Sequence, residues 1–150
     1  MARILILLAL AQSLTGCATQ GTSGNFAGAL PVDDSHMAED TAKQLTALFP
    51  PANTRLTLDP PNDTYGSALV EKLRKAGYAV SVGPEKTLLG QLTEWEAGPS
   101  DPGTDLHYVV DRIGEGHYRV SVQVGGQTLS RMYLSANQRL AAAAYWARKE

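Results

Sequence analysis

Between residues 117 and 124 the chain alternates without a break. Tyr118, Val120, Val122 and Val124 fall on one side, and His117, Arg119, Ser121 and Gln123 fall on the other. A period of two places successive side chains on opposite faces of a strand, so this segment has one apolar and one wet face. Leu106 to Ile113 and Thr128 to Leu134 read as strands on either side of it. Gly114-Glu115-Gly116 and Gly125-Gly126 fill the gaps, and short Gly-rich links of this kind are hairpin turns. The three strands therefore form an antiparallel meander whose apolar face needs a second layer to cover it.

The first half of the chain supplies that layer. Asp34-Ser35 suits a helix N-terminus, and Ala38, Ala42, Leu45, Leu48 and Phe49 follow at helical spacing. Glu39 and Asp40 are expected in the first turn, and Pro50-Pro51 stops the helix. Thr54 to Leu58 alternates as a short strand, and Pro60-Pro61-Asn62-Asp63 is a turn. Asp63 or Thr64 then caps a second helix, with Tyr65, Leu69, Leu73 and Ala76 on one face. Gly77 stands where a helix end favours a left-handed residue. Tyr78 to Val82 follows as a strand, and strand–helix–strand with short links is a βαβ unit with parallel strands. From Gly83 to Thr104 the periodicity fades among prolines and glycines, and Leu88, Leu89, Leu92 and Trp95 fit a helix or a strand equally. The tail AAAAYWARKE is also open, because four alanines favour a helix while Tyr145-Trp146 suits a strand or an extended clasp. The expected fold is α+β: a two-layer sandwich of two helices on a mixed, mainly antiparallel sheet ending in the three-stranded meander.

The N-terminus sets the expected location. Met1 to Cys17 reads MARILILLALAQSLTGC, with Arg3, an apolar run from Ile4 to Ala11 and a small-residue close. This is the layout of a secretory signal peptide, and the run falls short of the roughly 20 residues a spanning helix needs. Leu14-Thr15-Gly16-Cys17 resembles a bacterial lipobox, with cleavage between Gly16 and Cys17. Cys17 would then carry diacylglycerol and an N-acyl chain, the only non-protein groups expected. It is the chain's single cysteine, so no intramolecular disulfide is available to it. Several acyl chains anchor a protein stably where one would be reversible. Ala18 stands in place of the Asp that favours inner-membrane retention in enteric-type bacteria. The expected home is therefore the outer membrane, facing the periplasm. Residues 1–16 are read as the leader, 17–32 as the lipidated N-terminus and flexible tether, and 33–150 as one periplasmic domain.

Composition narrows the function. Loss of Arg3 with the leader takes the basic residues from 13 to 12 against 15 acidic, a formal charge near −3. A nucleic-acid-binding surface would need a clustered basic footprint, and Lys72, Arg74 and Lys75 read instead as a solvated helix face. No small-molecule substrate is expected. The histidines at 36, 107 and 117 do not converge, because the expected register sets His107 across from about Gln123. With Cys17 committed to lipid, no Cys–His pair or zinc set remains, and no phosphate-loop, dinucleotide or Gly-x-Ser-x-Gly pattern occurs. Glu94, Glu96, Asp101 and Asp105 lack the regular spacing of a calcium loop. No catalytic, cofactor or metal residue is assigned, and the chain is read as a non-enzyme. Tyr145 and Trp146 are the candidate partner contact, since aromatics anchor interfaces, with a core plug as the equal alternative.

Several segments together resemble one family. They are Leu48-Phe49-Pro50-Pro51-Ala52, then Tyr65-Gly66-Ser67-Ala68-Leu69 running into Leu73-Arg74-Lys75-Ala76-Gly77-Tyr78-Ala79-Val80. Tyr118-Arg119-Val120, Leu129-Ser130-Arg131-Met132-Tyr133 and Trp146-Ala147-Arg148-Lys149-Glu150 complete the set. With the lipobox, their order and spacing are similar to the TrbH family of conjugal-transfer lipoproteins. The resemblance implies a structural role near the outer-membrane core complex of a conjugative type IV secretion channel, with the channel's other subunits as partners. The alternative function is a periplasmic lipoprotein binding module outside secretion, such as an exclusion or envelope-stress factor.

Overall fold

The computed structural model describes residues 23–28, 31–83, 103–136 and 139–149. The leader, Gly16, Cys17, the Leu88–Trp95 segment and the acidic residues Glu94, Glu96 and Asp101 lie outside them. Eight strands form one sheet, in the path β3-β2-β4-β5-β6-β7. They are β1 (Gly24–Asn25), β2 (Arg55–Leu58), β3 (Ala79–Val82), β4 (Thr104–Gly114), β5 (His117–Val124), β6 (Gln127–Ala136), β7 (Arg139–Ala142) and β8 (Ala147–Lys149). Two helices, α1 (Pro31–Leu48) and α2 (Thr64–Lys75), pack side by side over it. This is the expected α+β sandwich.

The meander forms in the register that alternation dictates. Val110 faces Val120, Tyr108 faces Val122 and Leu106 faces Val124 across β4 and β5. Tyr118 faces Tyr133 and Val122 faces Leu129 across β5 and β6. These residues are buried beneath Met37, Ala38 and Leu45 of α1 and Tyr65, Leu69 and Leu73 of α2. Fully burying each such large side chain stabilises the fold by about 1.5–3 kcal/mol. The Tyr65 and Tyr108 rings meet at 5.2 Å and tilt by 51°, the offset geometry that aromatic quadrupoles prefer.

The expected βαβ unit is present, with Leu56 beside Val80 in parallel pairing. Asp63 is the α2 N-cap, accepting from the Gly66 amide at 2.7 Å. The helix closes at Gly77, whose φ of +95° suits a residue without Cβ. There Gly77 N–H donates to Arg74 O at 3.0 Å and Tyr78 N–H to Leu73 O at 3.1 Å, the paired bonds of a Schellman end. Lys72, Arg74 and Lys75 sit in that last turn, where the helix dipole favours positive charge.

Three details differ from the sequence expectation, and a fourth that it left open is decided. Helix α1 begins at Pro31, ahead of Asp34-Ser35, because proline fits the first helical position at no hydrogen-bonding cost. Asp33 and Asp34 therefore occupy its first turn, and Glu39 and Asp40 lie deeper in the helix. Ala76 is exposed at the α2 C-cap instead of on the buried face. The stretch read as tether up to residue 32 is partly built into the fold, since Gly24–Asn25 pairs in parallel with Val109–Val110. The tail, open in the sequence, resolves as strand: β7 and β8 both pair with β6, and Ala141 and Ala142 lie in β7.

Candidate functional site

The two ends of the domain are tied down by carboxylates. At the N-terminal end Asn25 reaches under the helices. Its backbone N–H donates to Asp63 Oδ2 at 3.1 Å, and its side-chain amide donates to Asp34 Oδ1 at 2.9 Å. Its own Oδ1 accepts from the Ala27 amide at 3.0 Å. Thr64 Oγ1 donates to the other Asp34 oxygen, and Tyr108 Oη donates to Asp63 Oδ2 at 2.8 Å. Asp34 is fully buried, and that burial raises its pKa, against the opposing pull of the Thr64 and Asn25 hydrogen bonds. Burial together with the hydrogen bond to Asp63 holds the Tyr108 phenol far above its usual range.

At the C-terminal end Asp40 plays the matching part. Arg131 Nη1 donates to both Asp40 oxygens at 2.8 and 2.7 Å, and Tyr133 Oη donates to Oδ2 at 2.5 Å. Arg131 Nε donates to Ala144 O at 2.8 Å, and its guanidinium lies 6.0 Å from the Trp146 ring centroid. Asp33 Oδ1 accepts from the Leu140 amide at 3.1 Å. One helix thus holds both flanking segments, through Asp34 on one side and Asp33 and Asp40 on the other.

The candidate aromatics part company. Tyr145 is 94% exposed, whereas Trp146 packs against the core with its Nε1 buried and without a hydrogen-bond partner among the described residues. Of the pair, Tyr145 is the one that presents its ring to solvent. His107 faces Gln123 across the β4–β5 ladder, as the register expectation has it, and His117 sits at the far end against Gly114. Among the described residues no group of three or more histidine, cysteine or carboxylate side chains is placed to hold a metal ion. Nor is any helix among them long and apolar enough to cross a membrane.

Three surfaces remain open. The outer edge of β3 carries exposed Ala79, Ser81 and Val82, and no described strand lies against it. An open groove of about 370 Å³ runs between the helices, lined by Glu39, Lys43, Thr46, Lys72 and Lys75. Glu39 bridges Lys43 at 2.8 Å and Lys72 at 3.6 Å, and the Lys43 contact leads in lowering its pKa. The third surface is the sheet face turned away from the helices, where Phe26 is 62% exposed and Leu134 is also exposed. Phe26 sits in a glycine-rich stretch without periodicity, and the β1–β4 pairing brings it there.

The geometry leaves the β3 edge without a described neighbour and fastens both ends of the domain to α1. A family model described as conjugal transfer protein TrbH matches residues 19–150. No curated protein and no solved structure gives a match.

Proposed function

The chain belongs to the TrbH family of conjugal transfer proteins, and from that premise we propose that it is an outer-membrane lipoprotein that anchors and stabilises a conjugative type IV secretion apparatus without catalysing a reaction. The observation that carries the reading is the single cysteine at Leu14-Thr15-Gly16-Cys17, directly behind an apolar leader. Acylation there supplies attachment that no described helix could supply by spanning. The fold fits a part of an assembly. Its β3 edge, against which no described strand lies, offers backbone donors and acceptors, which an extended segment of a channel subunit would pair with. Tyr145 offers a rigid exposed aromatic of the kind that concentrates binding energy.

The test is a Cys17→Ser exchange in the native transfer system. DNA transfer is expected to fall sharply, and the protein to leave the outer-membrane fraction. Transfer at the parental frequency would refute the anchoring role. Crosslinking in cells provides a second check. Capture of channel subunits supports the reading, while repeated failure to capture them turns it toward a binding module unconnected with secretion.

A further inference from the structure

The outward face of the sheet carries an apolar patch at the end where the N-terminal segment joins the domain. Phe26 N–H donates to Val110 O at 2.7 Å, continuing the parallel pairing of Gly24 with Val109. Its ring is held against the strand: a Cβ on Gly24 would lie 3.1 Å from Phe26 Cζ. Half-buried Val109 lies beside Gly24 on this face. Leu134, 38% exposed, lies toward the β4–β5 hairpin, where it faces His117 and His117 faces Gly114, and Ile113, 44% exposed, sits in the β4 bulge between Arg112 and Gly114. Asp111 lies among them, and Arg119 neutralises it through bonds of 3.1 and 2.6 Å. The patch is therefore a set of exposed apolar side chains interspersed with His117 and with an ion pair that carries no net charge.

Chain length decides what can cover it. Gly24 lies seven positions beyond Cys17, a reach of about 25 Å fully extended and about 15 Å as a coil. A domain of this size has a radius of gyration near 13 Å and is about 35 Å across. The link is shorter than the domain is wide, so the β1 side must stay next to whatever holds Cys17. Resting on the lipoprotein reading above, we propose that Phe26, Val109, Ile113 and Leu134 seat in the phospholipid surface that holds the Cys17 acyl chains. The domain then stands with its outer sheet face on the membrane and its helices and β3 edge turned to the periplasm. A shallow apolar face beside a lipid anchor adds a second attachment and fixes orientation, which an anchor alone leaves free.

The test uses the mature, full-length lipoprotein in vesicles of phosphatidylethanolamine and phosphatidylglycerol. A nitroxide is placed on Ile113→Cys, on Leu134→Cys as an independent second position, and on exposed Ser67→Cys of α2 as the reference. Collision with oxygen, which enriches in lipid, is compared with collision with a water-soluble nickel complex. The proposal expects a several-fold higher oxygen-to-nickel ratio at 113 and 134 than at 67. Equal ratios at all three, on protein whose mass shows an acylated Cys17, overturn the proposal and leave the lipoprotein reading standing. An unmodified Cys17 overturns both.

Discussion

Gly66 and Tyr108 are pressed together so closely that a Cβ on Gly66 would lie 1.9 Å from the Tyr108 hydroxyl oxygen. The hydroxyl is held there by its 2.8 Å bond to Asp63, the residue that caps the same helix. In an ordinary exposed helix, alanine is preferred to glycine by about 1 kcal/mol. Here the sign reverses. Gly66→Ala must displace Tyr108 or the Pro61 ring, 2.8 Å away. Overpacking costs about 1–3 kcal/mol, and a hydrogen bond to a carboxylate about 1.5–3 kcal/mol. A net destabilisation of about 2 kcal/mol is expected in urea unfolding, with Tyr108→Phe alone costing less.

Asp34→Asn reports on the buried carboxylate. The folded state raises the Asp34 pKa, so the folded protein holds that proton more tightly than the unfolded chain. Its contribution is then fully present below the unfolded value, 3.8, and is lost as pH rises through the raised folded value. The asparagine cannot ionise, and it keeps one acceptor for Asn25 and one group for Thr64. Relative to the parent, its melting temperature is expected to gain as pH rises above this window and to lose that gain in acid. A constant difference at every pH would contradict the assignment.

Asp40 carries the tail. Removing it by Asp40→Ala strands Arg131 and Tyr133, and a partly buried pair broken on one side costs about 3 kcal/mol. Tyr133→Phe removes one bond and should cost about 1.5–3 kcal/mol. Hydrogen exchange distinguishes a local from a global loss. Amides of residues 139–149 are expected to exchange faster in Asp40→Ala well before those of α2.

Trp146 separates ring packing from hydrogen bonding. Its Nε1 is buried without a partner among the described residues, a state costing about 1–3 kcal/mol that Trp146→Phe relieves while giving up some contact area. Phenylalanine is expected to leave stability nearly unchanged. Trp146→Ala, which empties the space beside Arg131, should cost about 3 kcal/mol. Equal losses from both exchanges would show that the indole N–H has a partner.

Much of this architecture follows from local signals. The alternation from His117 to Val124 and the glycines around it determine which face each side chain takes, because a one-residue slip would turn every valine outward. Asp63 and Gly77 mark the bounds of α2 for reasons contained within a few residues of each: one accepts a free amide, the other takes a conformation that side chains resist. The parallel pairing of β2 with β3 follows from the length of the link between them.

What only the tertiary structure decided lies in pairings that span the chain. Nothing near Asn25 announces a strand, and it becomes one because β4 has an unpaired stretch and Asp34 and Asp63 can accept its amides. Ala141 to Ala144 have the composition of a helix, yet β6 offers Ala141 and Ala142 a ladder and Arg131 holds Ala144 by its carbonyl. Helix propensity differs by tenths of a kcal/mol per residue, and a ladder of backbone bonds beside a half-buried arginine outweighs it. The sequence by itself determined the alternation, the caps and the lone cysteine, because each rests on neighbours within a few residues. The anchoring of both flanking segments to one helix depends on residues 9 to 107 positions apart, and only the folded chain brings them within reach.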